Sequence, residues 1–141
     1  MAKLTSTWIS EVFETSWLSN KSGTHLDTKP IWFSIEFCGE LNSENTILDS
    51  DDIQDIEKAL RHQFQDKTII CDEGEQLKTY RSYFKDFSEV RTMPNTSIER
   101  FAEWVFHRIN ALIKTRTRSR VEVLSAKCSG GVKHYSTYSR I

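Results

Sequence analysis

The side chains best suited to metal or nucleophilic chemistry are dispersed along this chain rather than clustered. His25 lies in a Gly-Thr-His-Leu stretch, where an imidazole can serve as a base or a single metal ligand. One histidine does not make a zinc site, which needs several converging donors, and a solvated loop histidine is the plainer reading. His62 and His107 fall on helical patterns and His134 on the last strand pattern, so all three read as structural or solvent-facing. Cys38, Cys71 and Cys128 are odd in number and far apart, without metal-knuckle spacing. Thr96 and Glu99 have the spacing of a capping box, in which each side chain satisfies a backbone donor at a helix start. The basic Lys114–Arg120 stretch carries no interleaved aromatics and reads as a solvated turn, not an RNA site.

The elements that must position these groups fit one domain spanning 1–141, long enough for one core and too short for two. Charged residues make up 28% and the net charge is −1, which argues against bulk attraction to nucleic acid or anionic lipid. No apolar run approaches the ~20 residues of a membrane span, and no basic-then-apolar leader is visible. A reduced, cytoplasmic setting without membrane or nucleic-acid partners is therefore expected.

Trp8 to Leu18 alternates imperfectly and predicts a strand with a bulge. Ile31, Phe33, Ile35 and Phe37 alternate with Trp32, Ser34, Glu36 and Cys38, which puts one large apolar face against a core. Asp49 or Ser50 can cap a first helix whose buried stripe is Ile53, Ile56, Leu60 and Phe64. The second helix follows Thr96 and carries Ile98, Phe101, Ala102, Val105, Ile109, Leu112 and Ile113. Between them, Cys71 to Pro94 reads as an irregular connection that either carries function or packs its aromatics onto the helices. Val121 and Val123 open a third strand, and Gly130-Gly131 turns the chain into a fourth around His134, Tyr135 and Tyr138. The expectation is an α+β domain, with a four-stranded antiparallel sheet of two hairpins and both helices on one face.

In this order, several local motifs resemble the 6-pyruvoyl- and 6-carboxy-tetrahydropterin synthase family, whose architecture is the T-fold. Phe13-Glu14-Thr15-Ser16-Trp17 resembles the family's Phe-x-Ala-Ala-His strand, and Gly39-Glu40-Leu41 its Gly-x-Leu strand end. Ile47-Leu48-Asp49 is similar to the Val-x-Asp segment before the first helix. Ser97-Ile98-Glu99-Arg100-Phe101-Ala102 is similar to the Thr-x-Glu-Asn-x-Ala helix start, and Val121–Ser125 to the closing strand.

The resemblance implies three zinc-binding histidines, an acid–base cysteine, an Asp-His pair and two glutamates that anchor a pterin. The positions inferred for the histidines hold Trp17, Asp27 and Lys29. No cysteine lies between Ser19 and Thr24, the Asp-His pair becomes Asp66-Lys67, and the final-strand glutamate becomes Ser125. Glu99 keeps its carboxylate, whose two oxygens suit the paired N–H groups of a guanidine-like edge. His25 lies close to the inferred site, and Trp17 and Trp32 offer flat rings for stacking, although Trp17 can equally plug the old pocket.

The expectation is a non-catalytic or repurposed T-fold protein with no metal and no cofactor. It would form homo-oligomeric barrels and bind a pterin- or purine-like heterocycle or nucleotide at subunit boundaries. The candidate ligand residues are Glu99, Ser125, Trp17, Trp32, His25, Asp66 and Lys67. The rival readings are a diverged carbon–oxygen lyase of the same family and a purely structural or interaction protein.

Overall fold

The computed structural model describes residues 3–18, 25–72, 74, 75, 77, 78, 80, 89–131 and 133–140. In chain order the elements are β1 (Leu4–Ile9), β2 (Phe13–Leu18), β3 (Leu26–Gly39), α1 (Ser50–Phe64), β4 (Lys67–Cys71), β5 (Val90–Met93), α2 (Ile98–Thr117), β6 (Val121–Gly130) and β7 (Tyr135–Ser139). The strands form a sheet of order β5-β4-β2-β3-β6-β7, with β1 pairing β3 beyond the end of β2. The α+β T-fold is therefore present, but among the described residues the sheet has seven strands rather than four. It is mixed rather than antiparallel, because β2–β4 and β4–β5 run parallel. β5 lies inside the segment expected to be irregular and β4 runs just ahead of it; strands of four and five residues are too short to show a period.

β3 is the spine. One edge pairs antiparallel with β6, and the other pairs first with β2 and then with β1. Between the Ile9↔Ser34 and Phe13↔Ile31 pairs, three residues face two, so the edge strand carries one extra residue. Ser10 locks this bulge. Its N–H donates to the Phe33 carbonyl at 2.8 Å, and its Oγ accepts from the Phe33 N–H at 2.9 Å. Because side chains alternate faces, the extra residue moves the set on the helix side of the sheet from Leu4, Ser6 and Trp8, of which only Trp8 is partly buried, to Phe13, Thr15 and Trp17. That shift is the cause of the imperfect alternation in the sequence.

Asp49 caps α1 in a reciprocal box. Its Oδ1 accepts from the Asp52 N–H at 2.8 Å, while Asp52 Oδ2 accepts from the Asp49 N–H at 3.1 Å. Arg116, near the end of α2, reaches both Asp52 and Asp55 and so fastens the end of one helix to the start of the other. Both helices cover one sheet face. Phe33 meets Phe64 at 4.8 Å between ring centroids, Phe64 meets Phe101 at 5.5 Å, and Ile56, Leu60, Val105, Ile109 and Ile113 complete the core.

On the opposite face, Ile70 joins Leu18, Val90 and Tyr80 in a second buried cluster. Tyr80 of the long connection thus packs against the sheet's far side, away from the helices. Tyr83, Phe84 and Phe87 lie outside the described residues.

Candidate functional site

The start of α2 brings Glu99 to the rim of the sheet. The Thr96 hydroxyl donates to the Leu18 carbonyl and pins this start to the end of β2. Ser97, not Thr96, is the N-cap, with Oγ accepting from the Arg100 N–H at 3.1 Å. The expected capping box of Thr96 and Glu99 therefore does not form. Register is the reason: with Ser97 as cap, the third helical position is Arg100 and Glu99 lies one residue too early.

Glu99 instead faces β7. Its Oε1 lies 3.4 Å from His134 Nε2, and both side chains are more than half exposed. Glu99's own backbone N–H is the main influence holding its carboxyl below the usual range. Partial burial opposes this, while the Ser136 hydroxyl, the charge of His134 and Ser97 reinforce it. Burial pushes the thiol of Cys128 upward, with the Glu99 charge adding to the effect. Cys128 pairs with Ser136 across the β6–β7 ladder, and its sulfur is a core atom rather than a poised nucleophile. His134 and Ser136 were not expected in this site. Only the register of the last hairpin places them there.

The three positions inferred for metal histidines do share a face. Trp17 stands opposite Asp27, and Lys29 opposite Thr15, along the β2–β3 ladder. Their chemistry does not fit a zinc ion. Trp17 is 3% exposed and packs edge-on against Phe101 at 5.3 Å and 84°. Lys29 contributes a cation, and Asp27 already pairs with His25 at 3.3 Å. Among the described residues, no three His, Cys, Asp or Glu side chains converge at ligand spacing. No zinc-dependent step follows from these residues.

The remaining candidates are dispersed within one chain. Trp32 pairs with Ser129, and Ser125 with Glu36 and Ser139, on the sheet face away from the helices. Trp17 and Trp32 therefore occupy opposite faces and cannot enclose one ring within a protomer. Asp66 turns the chain from α1 into β4 with φ 54°. Its N–H donates to Glu14 O at 2.8 Å, and its carboxylate accepts from Gln65 Nε2 at 3.2 Å. Lys67 Nζ donates to Gln65 O at 3.1 Å and pairs with Glu89 at 3.4 Å.

This architecture is the tetrahydropterin synthase fold. Solved structures share it over nearly their whole length. An uncharacterized protein of Wolinella succinogenes superposes with TM-score 0.72 at 10% identity, covering 98% of this chain and 99% of that one. The 6-pyruvoyl tetrahydropterin synthase of Plasmodium vivax gives 0.67 at 12% identity, with 97% and 98% covered. The corresponding Caenorhabditis elegans synthase gives 0.66 at 10% identity, with 100% and 98% covered. At the sequence level, no protein-family model and no curated protein matches the chain.

Proposed function

We propose that this chain is a repurposed T-fold protein that binds a flat, nitrogen-rich heterocycle (a pterin, purine or nucleotide) without lyase chemistry. Glu99 carries the reading. It is exposed and not used in a capping box, and its surroundings favour the ionised form. Such a carboxylate offers two acceptor oxygens to the adjacent N–H groups of a guanidine-like edge. Likeness in fold to tetrahydropterin synthases supports that ligand class. Trp17, Asp27 and Lys29 in place of zinc ligands argue against the diverged lyase. A purely structural role is the second reading, favoured by the burial of Trp17.

Assembly into a homo-oligomer belongs to the same proposal. Leu4, Ile9, Val12, Leu26 and Tyr135 are exposed on the outer parts of the sheet, where a neighbouring sheet would cover them. No helix among the described residues is long and apolar enough to cross a membrane.

Calorimetry with pterins, purines and nucleotides tests the binding, and Glu99→Gln tests its site. Replacing one acceptor oxygen by an amide donor should weaken a guanidine-edge ligand roughly ten- to a hundredfold. Equal dissociation constants for the two proteins would reject the clamp. Light scattering that shows a monomer at micromolar concentration would reject the assembly.

A further inference from the structure

The outer surfaces of α1 and α2 meet in a groove of about 370 Å³ that plays no part in the site around Glu99. Lys58, His62 and Gln63 line it from α1, and Trp104 and Arg108 from α2. The volume lies within the roughly 300–1,000 Å³ of small-molecule sites.

Three observations give it a chemical sign. First, Gln63 is only 7% exposed, and its Nε2 is buried without a hydrogen-bond acceptor among the described residues. A buried amide donor in that condition is costly where it stands, and turning the amide toward the groove would let a ligand acceptor satisfy it. Second, Lys58 and Arg108 have no ion-pair partner among the described residues. The acid that also lines the groove, Asp55, is already neutralised by Arg116. Third, Trp104 is only partly buried. It meets Phe64 edge to face at 5.6 Å, and with Leu112 it gives the groove a flat apolar wall.

We propose that this groove binds a small planar anion, an aromatic ring bearing a carboxylate or phosphate. The ring lies on Trp104 and Leu112. The Gln63 amide turns toward the groove, and the acid group accepts from it between the charges of Lys58 and Arg108. Guanidinium and ammonium groups favour either acid.

The test is a nitrogen-15 NMR titration of the intact chain with phenyl phosphate, benzoate and inorganic phosphate in turn. Saturable shifts of the Gln63 side-chain amide and the Trp104 indole N–H, with phenyl phosphate or benzoate at least tenfold tighter than inorganic phosphate, are expected. Arg108→Ala should weaken that binding tenfold or more. Gln63→Leu should weaken it similarly while raising the thermal midpoint of the free protein, because it removes a buried unpaired donor. No saturation by 10 mM (on the order of the weakest affinity usefully assigned to a site) would overturn the proposal. So would equal affinity for inorganic phosphate, shifts at Glu99 and His134 instead of the groove, or unchanged affinity in both variants.

Discussion

Glu99 Oε1 and His134 Nε2 lie 3.4 Å apart, joining the first turn of α2 to the approach of β7. Because Glu99 titrates below its usual value in the folded chain, the carboxylate form favours folding. This stability is present above the ordinary glutamate pKa of about 4.3 and fades as pH falls through the lower folded value. Glu99→Gln should therefore lose stability relative to the parent at pH 6, and the difference should close on acidification. Urea unfolding of both proteins between pH 6 and pH 3 measures this. A gap that stays constant across the range would show that ionisation of Glu99 contributes nothing.

Trp17 predicts a different kind of loss. Its indole is buried at the edge of the aromatic cluster against Phe101. Trp17→Ala should leave a cavity and cost about 3–5 kcal/mol in chemical denaturation. Trp17→Phe should recover most of that. A loss below about 1 kcal/mol for the alanine variant would mean that this position is far looser than its burial implies.

Arg116 connects the two helices through Asp52 and Asp55, and Asp52 is nearly buried. Arg116→Ala should lower the urea midpoint more than Arg61→Ala does. Arg61 pairs with Glu11 where both side chains are half exposed, and such a pair contributes little. Arg116→Lys should restore only part of the loss, since a single ammonium cannot serve two carboxylates as a planar fork does. Equal midpoints for Arg116→Ala and Arg61→Ala would contradict this.

Two glycines should differ in what they tolerate. A Cβ at Gly39 would sit 2.6 Å from the Arg120 backbone oxygen, whereas at Gly130 it would meet the terminal Cδ1 of Ile98 at 2.5 Å. Backbone cannot yield as a side-chain end can. Gly39→Ala should therefore cost about 1–3 kcal/mol, and Gly130→Ala less. Adding Ile98→Val, which removes the crowding methyl, should make the Gly130→Ala change milder still. Thermal unfolding of the variants gives the ranking, and the reverse order would contradict the packing of α2 on β6.

The β3 alternation, an α1 cap at Asp49 or Ser50 and the apolar stripes of both helices were legible in the sequence because each is a local pattern of periodicity or capping chemistry. That Trp17, Asp27 and Lys29 are not a set of zinc-binding imidazoles needs only residue identity. The bulge at Ser10 was legible as a disturbance, but its geometry depends on a hydrogen bond to Phe33, far along the chain.

What only the tertiary structure decided were the contacts made between distant segments. β4 exists because β2 offers an edge to pair with, and β5 because β4 offers the next, not because their few residues demand extended structure. Glu99 left its expected box because the start of α2 is fixed by Ser97 and by the tie from Thr96 to Leu18. It found His134 and Ser136 because the β6–β7 register put them there. Residue identity shows what a side chain can do, but packing and register decide which neighbours it meets.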